Sequence, residues 1–208
     1  MLSPETTLSF FGVAVLLGLS PGPDNLFVLL HSAMHGRKAG MLVVLGLCTG
    51  LLVHTAAVAL GVAAVFSAST TAFTLLKLGG AAYLLYLAYQ AFRAPVGIAA
   101  DDSRPPLGAW QGYGRGVLMN LSNPKVAVFF LAFLPQFARP EAGSLPVQMG
   151  LLGAIFIVAT LLTFGAIACF AGTFGSLLRR SPRVQRGLNW ATGLVFVGLA
   201  LHLANAER

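Results

Sequence analysis

Apolar residues run along this chain in long stretches separated by short polar punctuation. Six stretches reach the length that crosses a bilayer, which takes about 20 predominantly apolar residues each. They fall at roughly 7–30, 40–66, 70–92, 113–136, 147–173 and 187–204. Two of the six are cut by proline. Leu19-Ser20-Pro21-Gly22-Pro23 interrupts the first, and Leu121-Ser122-Asn123-Pro124-Lys125 interrupts the fourth with the same shape 102 residues later. Proline removes a helix donor and clashes with the preceding turn, so each motif predicts a broken helix. Broken helices at membrane depth occur where the backbone is buried in protein or lines a cavity.

The connection around Pro95 to Pro106 is the one sizeable polar segment between spans, with Asp101, Asp102, Arg104 and two adjacent prolines. It divides a single transmembrane domain (1–208) into repeat one at about 1–93, a loop at about 94–112 and repeat two at about 113–208. Three spans per half make the second half enter from the opposite side. The predicted fold is therefore an all-α integral membrane protein of six transmembrane helices. They form two inverted three-helix repeats, each with a broken first helix, and the two breaks meet near the midplane.

Composition agrees. The 208 residues are 57% hydrophobic and 9% charged, with a mean hydropathy of +0.82, whereas a soluble domain is about a quarter charged. A net charge of +7 would suggest nucleic acid in a soluble chain. Here the basic residues sit between apolar runs with no basic patch interleaved with aromatics, so no nucleic-acid partner is expected. Nine of the thirteen lie in the loops after spans one, three and five: Arg37, Lys38, Arg93, Arg104, Arg115, Arg179, Arg180, Arg183 and Arg186. The positive-inside rule puts those loops in the cytoplasm and both termini outside. The N-terminus lacks the positive region of a secretory signal, so the first stretch is expected to be retained as a span.

Chemistry concentrates at the breaks. Asp24 is the only acid inside a span, and intramembrane ionisable residues are costly and usually functional. Asn123-Pro124 is a helix-start signal, which Ser20-Pro21 and Pro23-Asp24-Asn25 match more loosely. New helix starts present free N–H groups and a positive dipole end, which suit a carboxylate. Lys125 would add a full charge beside one start. Asp24, beside the other, could hold an ammonium group or exchange a proton, and the two residues are expected to face each other in contact from opposite repeats. The alternatives are that Asp24 and Lys125 neutralise each other across the repeat interface, or that Lys125 snorkels to a headgroup, as Lys77 is expected to.

His54 shares a face of the second span with Gly46 and Gly50, where another helix could approach closely. It would relay protons or bond a neighbouring helix. Ser20 and Ser122 read as hydrogen-bonding groups of the breaks. Glycine seams could pack within one chain or between two, which leaves a homodimer open. Cys48 and Cys169 read as packing residues. No His, Cys or carboxylate cluster has metal-ligand spacing, no cofactor is implied, and no nucleophile stands with a base, so no enzyme is expected.

Pro21-Gly22-Pro23-Asp24 after Gly18, Gly36-Arg37-Lys38-Ala39-Gly40, Gly46-x3-Gly50-x3-His54, Lys77-Leu78-Gly79-Gly80-Ala81-Ala82-Tyr83-Leu84 and Asn123-Pro124-Lys125 leading to Leu134-Pro135-Gln136-Phe137 resemble the LysE/RhtB superfamily of amino-acid exporters. The resemblance runs over most of the chain in the expected order, with a preference for the homoserine/threonine/leucine-type branch. It implies a bacterial inner-membrane secondary transporter exporting amino acids or derivatives by proton exchange. Functional weight would fall on Pro21, Gly22, Pro23, Asn123, Pro124 and Lys125. The predicted site is then Ser20, Pro21, Gly22, Pro23, Asp24, Asn25, His54, Ser122, Asn123, Pro124 and Lys125, with amino acid, protons and membrane lipid as partners. The competing readings are export of a cation or another small metabolite, and a non-transporting membrane subunit.

Overall fold

Ser3 opens the first helix: its hydroxyl accepts from the Thr6 N–H at 3.1 Å, and Pro4 takes the first helical position. In the computed structural model, which describes residues 2–68, 70–95, 108–173 and 181–205, every regular element is helical. Helix α1 runs Pro4–Leu19 and α2 Pro23–His35, with a 63° bend at the intervening break. A single residue, Gly36, joins α2 to α3 (Arg37–Ala68) at φ +87°, a conformation open to glycine at little cost. Helix α4 is Thr70–Arg93.

The second half begins with α5 (Ala109–Ser122), bent by 51° at Asn123 from the following segment. That segment is α6 (Pro124–Val128), continued by a π turn over Phe129–Phe133 and a 3-10 turn over Leu134–Phe137. Helix α7 is Leu145–Cys169 and α8 is Pro182–Asn205. Both proline motifs thus break helices where expected. The polar connection runs almost wholly through 96–107, outside the described residues, as do Arg179 and Arg180.

Among the described residues, three helices are individually long and apolar enough to cross a membrane: α3 over Arg37–Gly61, α7 and α8. Each bent pair, taken as one span, brings the total to five. That is one fewer than the expected six. Helix α4, which carries Lys77, three tyrosines, Gln90 and Arg93, is not among them over the described residues.

The breaks are held in place by packing between halves. Helix α1 lies along α7, with Phe10 against Phe156 and Gly18 against Thr163, so the two run parallel. Helix α5 lies parallel to α3, with Gly116 on Val43 and Asn120 on Gly50. The middle helices α3 and α7 cross antiparallel, with Gly40 against Ala168 and Thr55 against Gly153. Helices α4 and α8 are also antiparallel, through Phe92 with Gly193 and Gly80 with Leu203. Phe10, Phe129, Phe133 and Phe156 fill the core beside the breaks, with Phe129 centred 6.0 Å from Phe10 and 5.2 Å from Phe156.

Candidate functional site

Pro21 and Pro23 decide what the first break must solve. In a continuous helix the carbonyl of Leu17 would accept from residue 21, which has no N–H. The other half of the chain supplies a substitute: Lys125 Nζ donates to the Leu17 carbonyl at 3.5 Å and to the Ser20 carbonyl at 3.3 Å. Gly18's carbonyl accepts from Asn25 Nδ2 at 2.6 Å, so α2's first turn folds back onto α1's last. An ammonium group on the carbonyl end of a helix is also favoured by its dipole.

Pro124 creates the same problem at the second break. Residue 124 cannot donate to the Asn120 carbonyl, which instead accepts from the Asn123 N–H at 3.1 Å and from His54 Nε2 at 3.3 Å. A carbonyl only accepts, so Nε2 is assigned the proton. His54 reaches it because α5 closes on the small face of α3. A Cβ on Gly46 would collide with the Tyr113 carbonyl, and one on Gly50 would sit 2.6 Å from Asn120 Oδ1.

The two breaks are tied by one side chain. Asn123 caps α6 by accepting the Lys125 N–H at 3.0 Å through Oδ1, while its Nδ2 donates to Asp24 Oδ2 at 2.8 Å. Ser20, Asp24, Asn25, Asn120, Asn123 and Lys125 are all buried in this junction. The expected direct contact between Asp24 and Lys125 is not made. The carboxylate takes the Asn123 amide, and the lysine is drawn to two carbonyls at the end of α1, Leu17's, whose helical donor Pro21 removes, and Ser20's, which the break leaves unpaired.

Of the remaining expected site residues, Pro21, Pro23 and Pro124 are exposed and act through the backbone, and Gly22 is half-buried. Gly22 leaves room for Lys125, since a Cβ there would lie 3.2 Å from Nζ. Ser122 is exposed and donates to its own helix at Leu118 O, away from the junction. Asn120 belongs to the junction without being among the residues expected there. Its signal in the sequence is a lone amide inside an apolar stretch one helical turn before Asn123. Among the described residues no group of three His, Cys, Asp or Glu could hold a metal.

The arrangement is a buried polar junction at two helix breaks, in a chain otherwise suited to lipid. The LysE type translocator family matches residues 7–207, nearly the whole sequence. The chain belongs to the LysE type translocator family. It is therefore a multi-pass membrane translocator and not an enzyme. It is 32% identical over 203 residues to the homoserine/homoserine lactone efflux protein of Salmonella typhimurium, covering 98% of each chain. It is 29% identical to the threonine efflux protein of Escherichia coli, over 92% of this chain and 93% of that one. It is 28% identical to the leucine efflux protein of Salmonella choleraesuis, over 93% and 92%. No solved structure matches it.

Proposed function

We propose that this LysE type translocator exports amino acids or close derivatives across the bacterial inner membrane by proton antiport, with the substrate held where the two broken helices meet. The observation that carries the reading is the buried junction of Asp24, Asn123 and Lys125 contributed by both halves. Full-length relatives named for homoserine, homoserine lactone, threonine and leucine efflux supply the substrate class. The α-amine is common to these solutes; a free carboxylate is not, because the lactone lacks one.

The six-span inverted repeat is part of the same proposal, with α4 as the sixth span. The packing supports it. Parallel α1–α7 and α3–α5 pairs flanking an antiparallel α3–α7 pair make α1 and α5 run in opposite directions. A two-fold axis in the membrane plane relates halves in that way. It also exchanges the contact of Gly18 with Thr163 for that of Asn120 with Gly50, and the contact of Gly40 with Ala168 for that of Gly153 with Thr55. Both termini then face outward, which leaves Arg37, Lys38 and Arg93 on the cytoplasmic side.

Coupling is assigned to Asp24, the only acid within a span, with Lys125 and His54 holding the breaks open as positioning residues. Alternating access would rock one half against the other about the junction. The test is cellular: expression should protect bacteria against toxic amino-acid analogues and lower their internal level. Unchanged sensitivity across neutral analogues would count against export of this class.

A further inference from the structure

Four buried side-chain oxygens at the breaks have no hydrogen-bond partner: Ser20 Oγ, Asp24 Oδ1, Asn25 Oδ1 and Asn120 Oδ1. Their residues expose 8% or less of their surface. Buried polar atoms are satisfied in the great majority of cases, so four together require an explanation. They also hang on one run of contacts. Lys125 joins Ser20 to Asn123, Asn123 joins Asp24 to the Asn120 backbone, and Asn25 follows Asp24 in the first turn of α2.

Three of the four, on Asp24, Asn25 and Asn120, only accept, while the Ser20 hydroxyl both donates and accepts. Asn25 turns its amide nitrogen to the Gly18 carbonyl, which leaves its oxygen on the other side. Asp24 has one oxygen on Asn123 and the other unmatched. Lys125, the nearest cation, is directed at the α1 carbonyls. A group that satisfies such a set must donate several hydrogen bonds and carry positive charge to balance Asp24. A primary ammonium has three N–H donors and that charge. A carboxylate would meet acceptors and a like charge, and a hydroxyl would donate to one oxygen only.

We propose that Ser20, Asp24 and Asn25, with Asn120 from the second half, form a subsite for the free primary ammonium group of the substrate. Recognition therefore depends on the amine and tolerates neutralisation of the carboxylate. The inference rests on the reading of the junction as the substrate site. It adds the chemical feature that a transported molecule must carry, and it makes Asn120 a binding residue. An alkali cation would also suit an oxygen set, and the test separates the two.

The full chain, purified in detergent, is assayed by thermal unfolding against neutral L-amino acids, their amides and their N-acetyl derivatives. Sodium chloride is compared with choline chloride at equal ionic strength. Free amino acids and amides should raise the midpoint, and N-acetyl derivatives should not. Asn120→Leu and Ser20→Ala should each weaken the apparent affinity by about 10-fold, as expected for one hydrogen bond to a charged group. If Asn120→Leu does not fold, Ser20→Ala and the wild-type panel still decide. Equal stabilisation by N-acetyl derivatives, stabilisation by sodium alone, or no response to any amine would overturn the subsite. Efflux from loaded liposomes is measured alongside. Export without dependence on the amine sinks the subsite and spares the exporter; amine binding without export does the reverse.

Discussion

Asn123 donates its side-chain amide to the Asp24 carboxylate at 2.8 Å, linking residues 99 apart in sequence and the two broken helices in space. The same side chain caps α6 through its oxygen, so one amide serves both a helix start and the link between halves. Replacement by leucine leaves a buried carboxylate unpaired and a helix uncapped. The combined cost should be about 2–4 kcal/mol. A lowered unfolding midpoint in detergent checks this. The exchange Asp24→Asn with Asn123→Asp should recover part of the loss, because the pair can still bond in the reverse sense. No recovery would mean that the contact contributes little.

Lys125 acts on a different part of the junction. Its ammonium group takes the carbonyls of Leu17 and Ser20, at the end of α1 where Pro21 withdraws a donor. Lys125→Ala should abolish export while the protein still inserts and accumulates in the membrane. Normal efflux from that variant would contradict the assignment. Lys125→Arg should retain insertion with reduced transport, because a planar guanidinium does not reproduce the compact ammonium beside Gly22.

Coupling gives a third expectation. With Asp24→Asn the only acid within a span is lost, while its bond to Asn123 can be kept by the amide oxygen. Transport by this variant in proteoliposomes should lose its dependence on an imposed pH gradient, with the unfolding midpoint less affected than by Asn123→Leu. A gradient dependence equal to wild type would remove Asp24 from the coupling step.

The helix seams can be tested without touching the junction. On Gly46 a methyl group would meet the Tyr113 backbone carbonyl, which cannot move aside as a side chain can. Gly46→Ala should therefore separate α3 from α5 and destabilise the protein by about 1–3 kcal/mol. A methyl group on Gly12 would have nothing within 4 Å, and Gly12→Ala should be neutral or slightly stabilising. Equal midpoints for the two variants would argue against close packing of α3 on α5.

Much of this architecture is legible in the sequence, because it follows from local rules. Pro21, Pro23 and Pro124 cannot donate, so helix breaks at those points follow from covalent structure alone. The four-residue spacing of Gly46, Gly50 and His54 likewise marks one face of α3, and α5 lies on it. Partner choice inside the junction is less legible. Opposite charges suggest that Asp24 should meet Lys125. The structure obeys a stronger local demand, the satisfaction of carbonyls left unpaired where α1 ends, and the one that Pro21 orphans belongs to an apolar residue, Leu17. Asn120 is hidden for a related reason. Its importance depends on which residues of α3 face it, and that is fixed by packing between halves.

A single junction of two broken helices is proposed to carry an amino acid outward in exchange for a proton. The decisive measurement uses proteoliposomes containing the purified protein, loaded with a mixed amino-acid pool and given an imposed pH gradient. A subset of the amino acids should leave, with efflux driven by protons moving the other way, and Asp24→Asn and Lys125→Ala should each lose it. Retention of the whole pool, or efflux from both variants at the wild-type rate, would contradict the proposal.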